Sequence, residues 1–326
     1  MKEYFIKQFC KKQGFSFKRF LHQNFDKDTA VIEILNQKTK ESFVLKILGS
    51  NANNNVKKSL ENEIQFYKKG NFSFAPKMFS SGDDYLIIEF LHGTSLREFI
   101  HSNFFQNKLP SKDESDLFEQ ISDVIHEFYA SDKGIFKGNQ NQIDLVSNVL
   151  FDRIGNLISS GPEFTEPQKF EQFILRQAFK LIQNNLRKNL IKVVHLWLEN
   201  NIRFMSDFGH YDLHSENFLV GKHCKIIDYG NYSQPGIWIS DILYFYATLY
   251  ASFSSKKDMQ KKIISHAIKE ISFFEPKLKT KPLLQLLNLF CFTADSNSRF
   301  RLHNKGIKFF KILSFLNSIR TLNSVL

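Results

Sequence analysis

Between His210 and Gly230 the chain reads HYDLHSENFLVGKHCKIIDYG. Asp212 is followed by Asn217 five residues later and by Asp228 sixteen residues later, just beyond the strand-like Lys225-Ile226-Ile227. One carboxylate can accept a hydroxyl proton, while an amide oxygen and a second carboxylate are hard donors suited to Mg²⁺ held against nucleotide phosphates. In that chemistry Asp212 is the base, and Asn217 and Asp228 are the metal ligands. Taken alone, Asp212 is an ordinary turn or N-cap aspartate. The register with Asn217 and Asp228 is what gives it a chemical reading.

The HxDLHxxN loop, the hydrophobic-Asp-x-Gly turn after it and the segment ISDILYFYA around Asp241 resemble the Brenner motif of the aminoglycoside phosphotransferase and choline kinase families. These are small-molecule kinases with a protein-kinase-like fold. The resemblance covers roughly Val31 to Leu249. It implies an α+β, bilobal chain with two domains. Residues 1–91 would form an N-lobe with a small antiparallel β-sheet and one helix, and residues 92–326 a mainly helical C-lobe. ATP would be the phosphoryl donor, Mg²⁺ the metal, and an alcohol hydroxyl the acceptor.

Such a site needs a strand lysine to meet the phosphates and a helix glutamate to position it. Ala30 to Leu35 (AVIEIL) and Ser42 to Leu48 (SFVLKIL) are strand-like runs joined by NQKTKE, a hairpin pattern. Lys46 interrupts the second run. A lone strand lysine is usually a solvated edge residue, but this one lies ahead of Glu63, in the helical pattern SLENEIQFYKKG with Leu60, Ile64 and Tyr67 on one face. Glu63 fits the ion-pair role better than Glu61. Asp84 to Leu96 reads as a buried strand entering a turn at Gly93, and it resembles the family's hinge. The resemblance implies that backbone groups of Glu89, Phe90 and Leu91 meet the adenine edge. It also implies that Asp241 is structural, accepting backbone N–H bonds from the catalytic loop. His210 reads as a brace for that loop. His214 supports either the metal site or the loop backbone.

Helical patterns follow Gly93. They cover Glu114 to Tyr129, Gln168 to about Asn200, Ile237 to Tyr250, Lys257 to Ile271, Leu283 to Phe292 and Lys305 to Arg320. Gly134 to Pro167, punctuated by glycine, asparagine and proline, reads as an irregular insertion. Phe218 to Val220 and Lys225 to Ile227 read as a short hairpin through Gly221-Lys222.

Two positions depart from the family pattern. Asn24 to Thr29 (NFDKDT) contains no glycine, which weighs against a protein kinase and its glycine-rich phosphate loop. Tyr229 occupies the middle of the Asp-x-Gly triplet, and Ser240 precedes Asp241 where proline is frequent. Neither change removes a ligand. A kinase-fold protein without catalysis is the competing reading, and it is disfavoured because the lysine, base and metal positions are all filled.

The 326 residues suffice for two lobes, and 42% hydrophobic with 24% charged residues is an ordinary globular composition. Three scattered cysteines suggest neither a disulfide framework nor a zinc site, which fits a reducing cytoplasm where ATP is available. The N-terminus is basic without an apolar core, and no run approaches the length of a membrane span. The expectation is a cytoplasmic protein without a membrane span, whose basic surface is compatible with peripheral membrane contact. His210, Asp212 and His214 also form an HxDxH cluster of the kind that binds transition metals in hydrolases, but no second cluster completes it. A net charge of +11 favours anionic partners. No nucleic-acid motif accompanies it, so nucleic acid is not the expected partner. Ser296 to Leu326 holds no acidic residue but carries Arg299, Arg301, Lys305, Lys308, Lys311 and Arg320. Such a tail disfavours polycationic aminoglycosides and suits a sugar, an anionic glycan such as a lipopolysaccharide core, or a small alcohol.

Overall fold

A computed structural model describes residues 3–103, 111–130, 140–159, 166–200, 202–206, 208–233, 236–253, 256–278, 283–291 and 293–294. The pattern of Lys305 to Arg320 lies outside them. The chain is α+β and packs as two compact units. One comprises Met1–Phe128 with Glu216–Ser233, and the other Tyr129–Ser215 with Gln234–Leu326.

The first unit is built on an antiparallel sheet of β1 (Phe15–Asn24), β2 (Thr29–Asn36), β3 (Ser42–Leu48), β4 (Met78–Ser81) and β5 (Tyr85–Glu89), in the order β1-β2-β3-β5-β4. Strand side chains alternate between faces. Ala30, Ile32, Ile34, Leu45, Ile47 and Ile87 therefore turn to one side, where they pack with Ile6 and Cys10 of α1 (Glu3–Lys12). Ile6 and Cys10 lie one helical turn apart, which is why a single face of this short helix is buried. Helix α1 was not part of the sequence expectation, and it ends at Gly14, whose φ of +80° requires a residue without a Cβ. Lys46 faces the opposite side, in register with Val31 on β2 and Leu86 on β5.

Helix α2 (Asn54–Lys68) is capped by Asn53, whose side chain accepts the Val56 N–H at 3.0 Å. It buries Leu60, Glu63, Ile64, Phe66 and Tyr67. Strand β6 (Thr94–Ser95) leads into α3 (Leu96–Asn103), and α4 (Ser111–Ala130) follows. β6 pairs with β8 (Phe218–Val220), which forms the expected hairpin with β9 (Lys225–Ile226). At the β6–β8 crossing a Cβ on Gly93 would lie 2.6 Å from the Val220 carbonyl oxygen, so only glycine fits.

The second unit contains α5 (Gln140–Ser159), α6 (Glu166–Glu199), α7 (Trp238–Ser252), α8 (Lys257–Phe274) and a helical stretch at 283–291. A two-stranded ladder pairs β7 (Met205–Ser206) with β10 (Gly236–Ile237). The irregular insertion expected at Gly134 to Pro167 is corrected, because α5 occupies most of it. Ile143, Val146, Leu150, Ile154 and Leu157 are buried at helical spacing, and tertiary packing overrides the local glycine and asparagine signals. A Cβ on Gly155 would stand 3.9 Å from the Phe179 ring of α6, and Phe151 stacks on Phe179 at 5.4 Å. Eleven of the fifteen residues of α7 are buried, Trp238 and Asp241 among them. Among the described residues no helix is long and apolar enough to cross a membrane.

Candidate active site

In the first unit, β3 and α2 bring Lys46 to Glu63. Lys46 Nζ donates to both carboxylate oxygens of Glu63, at 2.7 and 2.8 Å, and lies 3.2 Å from Asp228 Oδ1. The Glu63 side chain is 3% exposed and that of Lys46 19%, whereas Asp228 is 54% exposed. Glu61 lies on the exposed face of the helix. Burial opposes charge on Lys46, but Asp228 and Glu63 together hold its ammonium above the ordinary value. Burial pushes Glu63 upward, and the charge of Asp228 adds to this against the pull of Lys46.

Asp228 is delivered by a strained turn. Its backbone is left-handed (φ 64°, ψ 68°), and a 3₁₀ turn follows over Tyr229–Asn231. Local packing holds this conformation. Tyr229 is fully buried and stacks on Phe66 of α2 with ring centroids 3.6 Å apart. The Gly230 carbonyl accepts from Asn62 Nδ2 at 3.2 Å, and a Cβ on Gly230 would meet Ser59 Oγ at 2.2 Å. Tyr229, the departure at the centre of the triplet, is thus the ring that seats the turn against α2. Asn217 is buried, and its main-chain carbonyl accepts the Ile227 N–H at 2.9 Å, which fixes it beside the residue preceding Asp228.

Asn217 and Asp228 present hard oxygen donors. Among the described residues no group of three or more His, Cys, Asp or Glu is placed to hold a metal unaided. One carboxylate and one amide suit Mg²⁺, which usually keeps waters and shares its coordination with substrate phosphates rather than sitting in an all-protein cage.

The hinge positions differ among themselves. The Glu89 N–H donates to the Lys77 carbonyl at 2.8 Å, and its carboxylate accepts from the Lys77 N–H at 3.2 Å and lies 3.8 Å from Lys225 Nζ. Glu89 is thereby committed to the sheet edge. Phe90 and Leu91 follow directly on the end of β5.

In the second unit, Asp241 of α7 organises the loop that carries Asp212. It accepts the His210 N–H at 2.8 Å and the Tyr211 N–H at 3.1 and 3.2 Å. Tyr129 Oη donates to the same carboxylate at 2.8 Å, and Arg153 Nη2 lies 3.5 Å from it. The Asp241 carboxylate is fully buried. His210 is also fully buried, and its Nδ1 accepts the Asp212 N–H at 3.3 Å. That nitrogen braces the loop, which counts against the transition-metal reading of the HxDxH cluster. His214 Nε2 stands 3.7 Å from Asp212 Oδ1. Burial would raise the Asp212 carboxyl, but His214, then His210 and Arg153, outweigh it and leave the group below its ordinary 3.8.

Nothing in the sequence assigns Tyr129 or Arg153 to Asp241. Arg153 lay in the segment read as irregular. Its signal was an arginine on the apolar face of FDRIG once that stretch is taken as helix. Thiol chemistry is not favoured, since burial pushes Cys10 and Cys224 up to about 11.

No protein-family model matches the sequence, and no curated protein does. Among solved structures, the choline kinase of Cryptosporidium parvum Iowa II is similar over 99% of this chain and 97% of its own, with a TM-score of 0.56 and 12% identity. The fold is shared with choline kinase. An ethanolamine kinase of Plasmodium vivax is similar over 93% of this chain and 81% of its own, with a TM-score of 0.45 and 16% identity. At such identities the likeness is one of fold.

Proposed function

We propose that the protein is an ATP- and Mg²⁺-dependent phosphotransferase acting on a hydroxyl of a small molecule or glycan. The observation that carries this reading is the Lys46–Glu63–Asp228 cluster. A lysine held above its ordinary pKa by the exposed Asp228, 3.2 Å away, and the buried Glu63 together is a fixed positive charge beside a candidate cation ligand. That pairing suits polyphosphate and has little use in a purely structural ion pair.

In this reading Lys46 neutralises charge on the α and β phosphates while Glu63 fixes its position. Backbone groups of the Glu89 to Leu91 segment take the adenine edge. Asn217 and Asp228 would hold Mg²⁺, which when bound would neutralise charge on the phosphates. Asp212 orients the acceptor hydroxyl and receives its proton. With its pKa below the ordinary value Asp212 is ionised at neutral pH, so its main contribution is orientation, with proton acceptance late in transfer. Catalysis then comes chiefly from positioning and electrostatics.

The acceptor class runs from sugars and anionic glycans to small alcohols, amino alcohols included. The net charge of +11 and the acid-free C-terminal segment support its neutral or anionic members over polycations. The expected setting is the cytoplasm, where ATP is supplied. The test is phosphoryl transfer by Asp212→Ala and Asp228→Ala. Each should lower turnover by at least ~10²-fold while the protein stays folded. Near-wild-type turnover in either variant would sink the assignment.

A further inference from the structure

Tyr211, the residue before Asp212, has a φ of +57°. A bulky side chain rarely adopts left-handed backbone, and where it does the surroundings must over-determine the conformation. Three neighbours, Asp241, Gly209 and Arg153, do so here. The Tyr211 N–H is held by both oxygens of Asp241. Its ring lies across Gly209, where an added Cβ would stand 2.7 Å from Tyr211 Cε2. The Arg153 guanidinium lies over the ring, 5.6 Å from its centroid. Arg153 is fixed in turn by the Tyr244 ring at 4.9 Å and by Asp241 at 3.5 Å.

A glycine at 211 would adopt this φ without strain, but it could leave it as readily. A tyrosine ring wedged between the Gly209 backbone and a buried guanidinium cannot. We infer that Tyr211 is a positioning residue whose clamped ring locks the peptide ahead of Asp212, so that the carboxylate is presented in one orientation. The inference deepens the phosphotransferase reading and rests on it for its catalytic consequence. The lock itself is a property of the loop and is testable without activity.

The experiment compares wild type, Tyr211→Gly and Tyr211→Phe by two readouts. Amide hydrogen exchange of the peptide spanning 208–213 reports the lock directly. Exchange should quicken at least ~10-fold in Tyr211→Gly and stay at the wild-type rate in Tyr211→Phe, because phenylalanine keeps the ring. Phosphate release from Mg²⁺-ATP, with water standing in for the acceptor, reports the consequence. Tyr211→Gly should lower kcat by about 10-fold or more, leave KM for ATP within about twofold, and be rescued in Tyr211→Phe. Unchanged exchange in Tyr211→Gly overturns the lock whatever the activity. A fall in Tyr211→Phe as large as in Tyr211→Gly also overturns it, by placing the effect on the hydroxyl. Quickened exchange in Tyr211→Gly, with a wild type that neither binds nor hydrolyses ATP, would support the lock and remove the phosphotransferase reading instead.

Discussion

Replacing Lys46 with methionine leaves Glu63 in place, buried and without its cation. Glu63 can escape by taking a proton, so the penalty has a ceiling set by pH. From the ordinary glutamate value of 4.5, protonation costs about 1.4 kcal/mol for each pH unit above it. That ceiling is roughly 5 kcal/mol at pH 8 and under about 1 kcal/mol at pH 5. The upper figure agrees with the ~3–5 kcal/mol usual for breaking a buried pair. The sign follows from linkage. A glutamate whose folded-state pKa is raised binds more protons folded than unfolded, so stability falls as pH climbs from 4.5 toward the raised value. In the wild type, Lys46 lies above its ordinary 10.5, so its contribution is fully present below pH 10.5 and is lost only as pH rises through the folded value. It therefore adds no slope between pH 5 and 8. The assay is urea unfolding of Lys46→Met against the charge-free double variant Lys46→Met/Glu63→Gln, which cancels pH effects elsewhere. The single variant should be about 3–5 kcal/mol less stable than the double at pH 8 and nearly equal to it at pH 5. An equal gap at both pH values, or no gap at pH 8, would refute the buried-charge reasoning.

His214→Gln removes the nearest group that holds the Asp212 carboxyl down and leaves the burial that pushes it up. The acid limb of the pH–kcat/KM profile should move to higher pH in that variant, because Asp212 then protonates earlier as pH falls. Gly93→Ala would set a Cβ 2.6 Å from the Val220 carbonyl oxygen, a backbone atom with little room to yield. A loss of about 1–3 kcal/mol in unfolding free energy is expected.

Strong local periodicity made much of the fold legible. The apolar, strand-like runs of β2 and β3, the helical spacing of α2, α4, α7 and α8, and the β8–β9 hairpin all appear in the chain as patterns. The candidate site was legible where chemistry and spacing coincide, as with Lys46 ahead of Glu63 and Asp212 ahead of Asn217 and Asp228. Other parts were not. Helix α1 carries only Ile6 and Cys10 as a fully buried pair over ten residues, too little periodicity to stand out beside its lysines. Helix α5 contains enough asparagine and glycine to read as a loop, because burial against α6 and α7 outweighs propensity. Tyr129 and Arg153 reach Asp241 from 112 and 88 residues away. No local pattern encodes such a contact, and the left-handed backbone of Tyr211 that depends on Arg153 is equally invisible in one dimension.

The central claim is that the Lys46–Glu63–Asp228 cluster receives a Mg²⁺-bound nucleotide, and a thermal-shift titration tests it most directly. Wild type and Asp228→Asn are melted with ATP and with GTP, with and without Mg²⁺. A ligand that binds only the folded state raises stability by RT ln(1 + [L]/Kd), about 2.7 kcal/mol at one hundred times Kd. The account predicts a rise in Tm that needs Mg²⁺ in the wild type and is lost or weakened in Asp228→Asn. No shift with either nucleotide, or a shift indifferent both to Mg²⁺ and to Asp228, would contradict it.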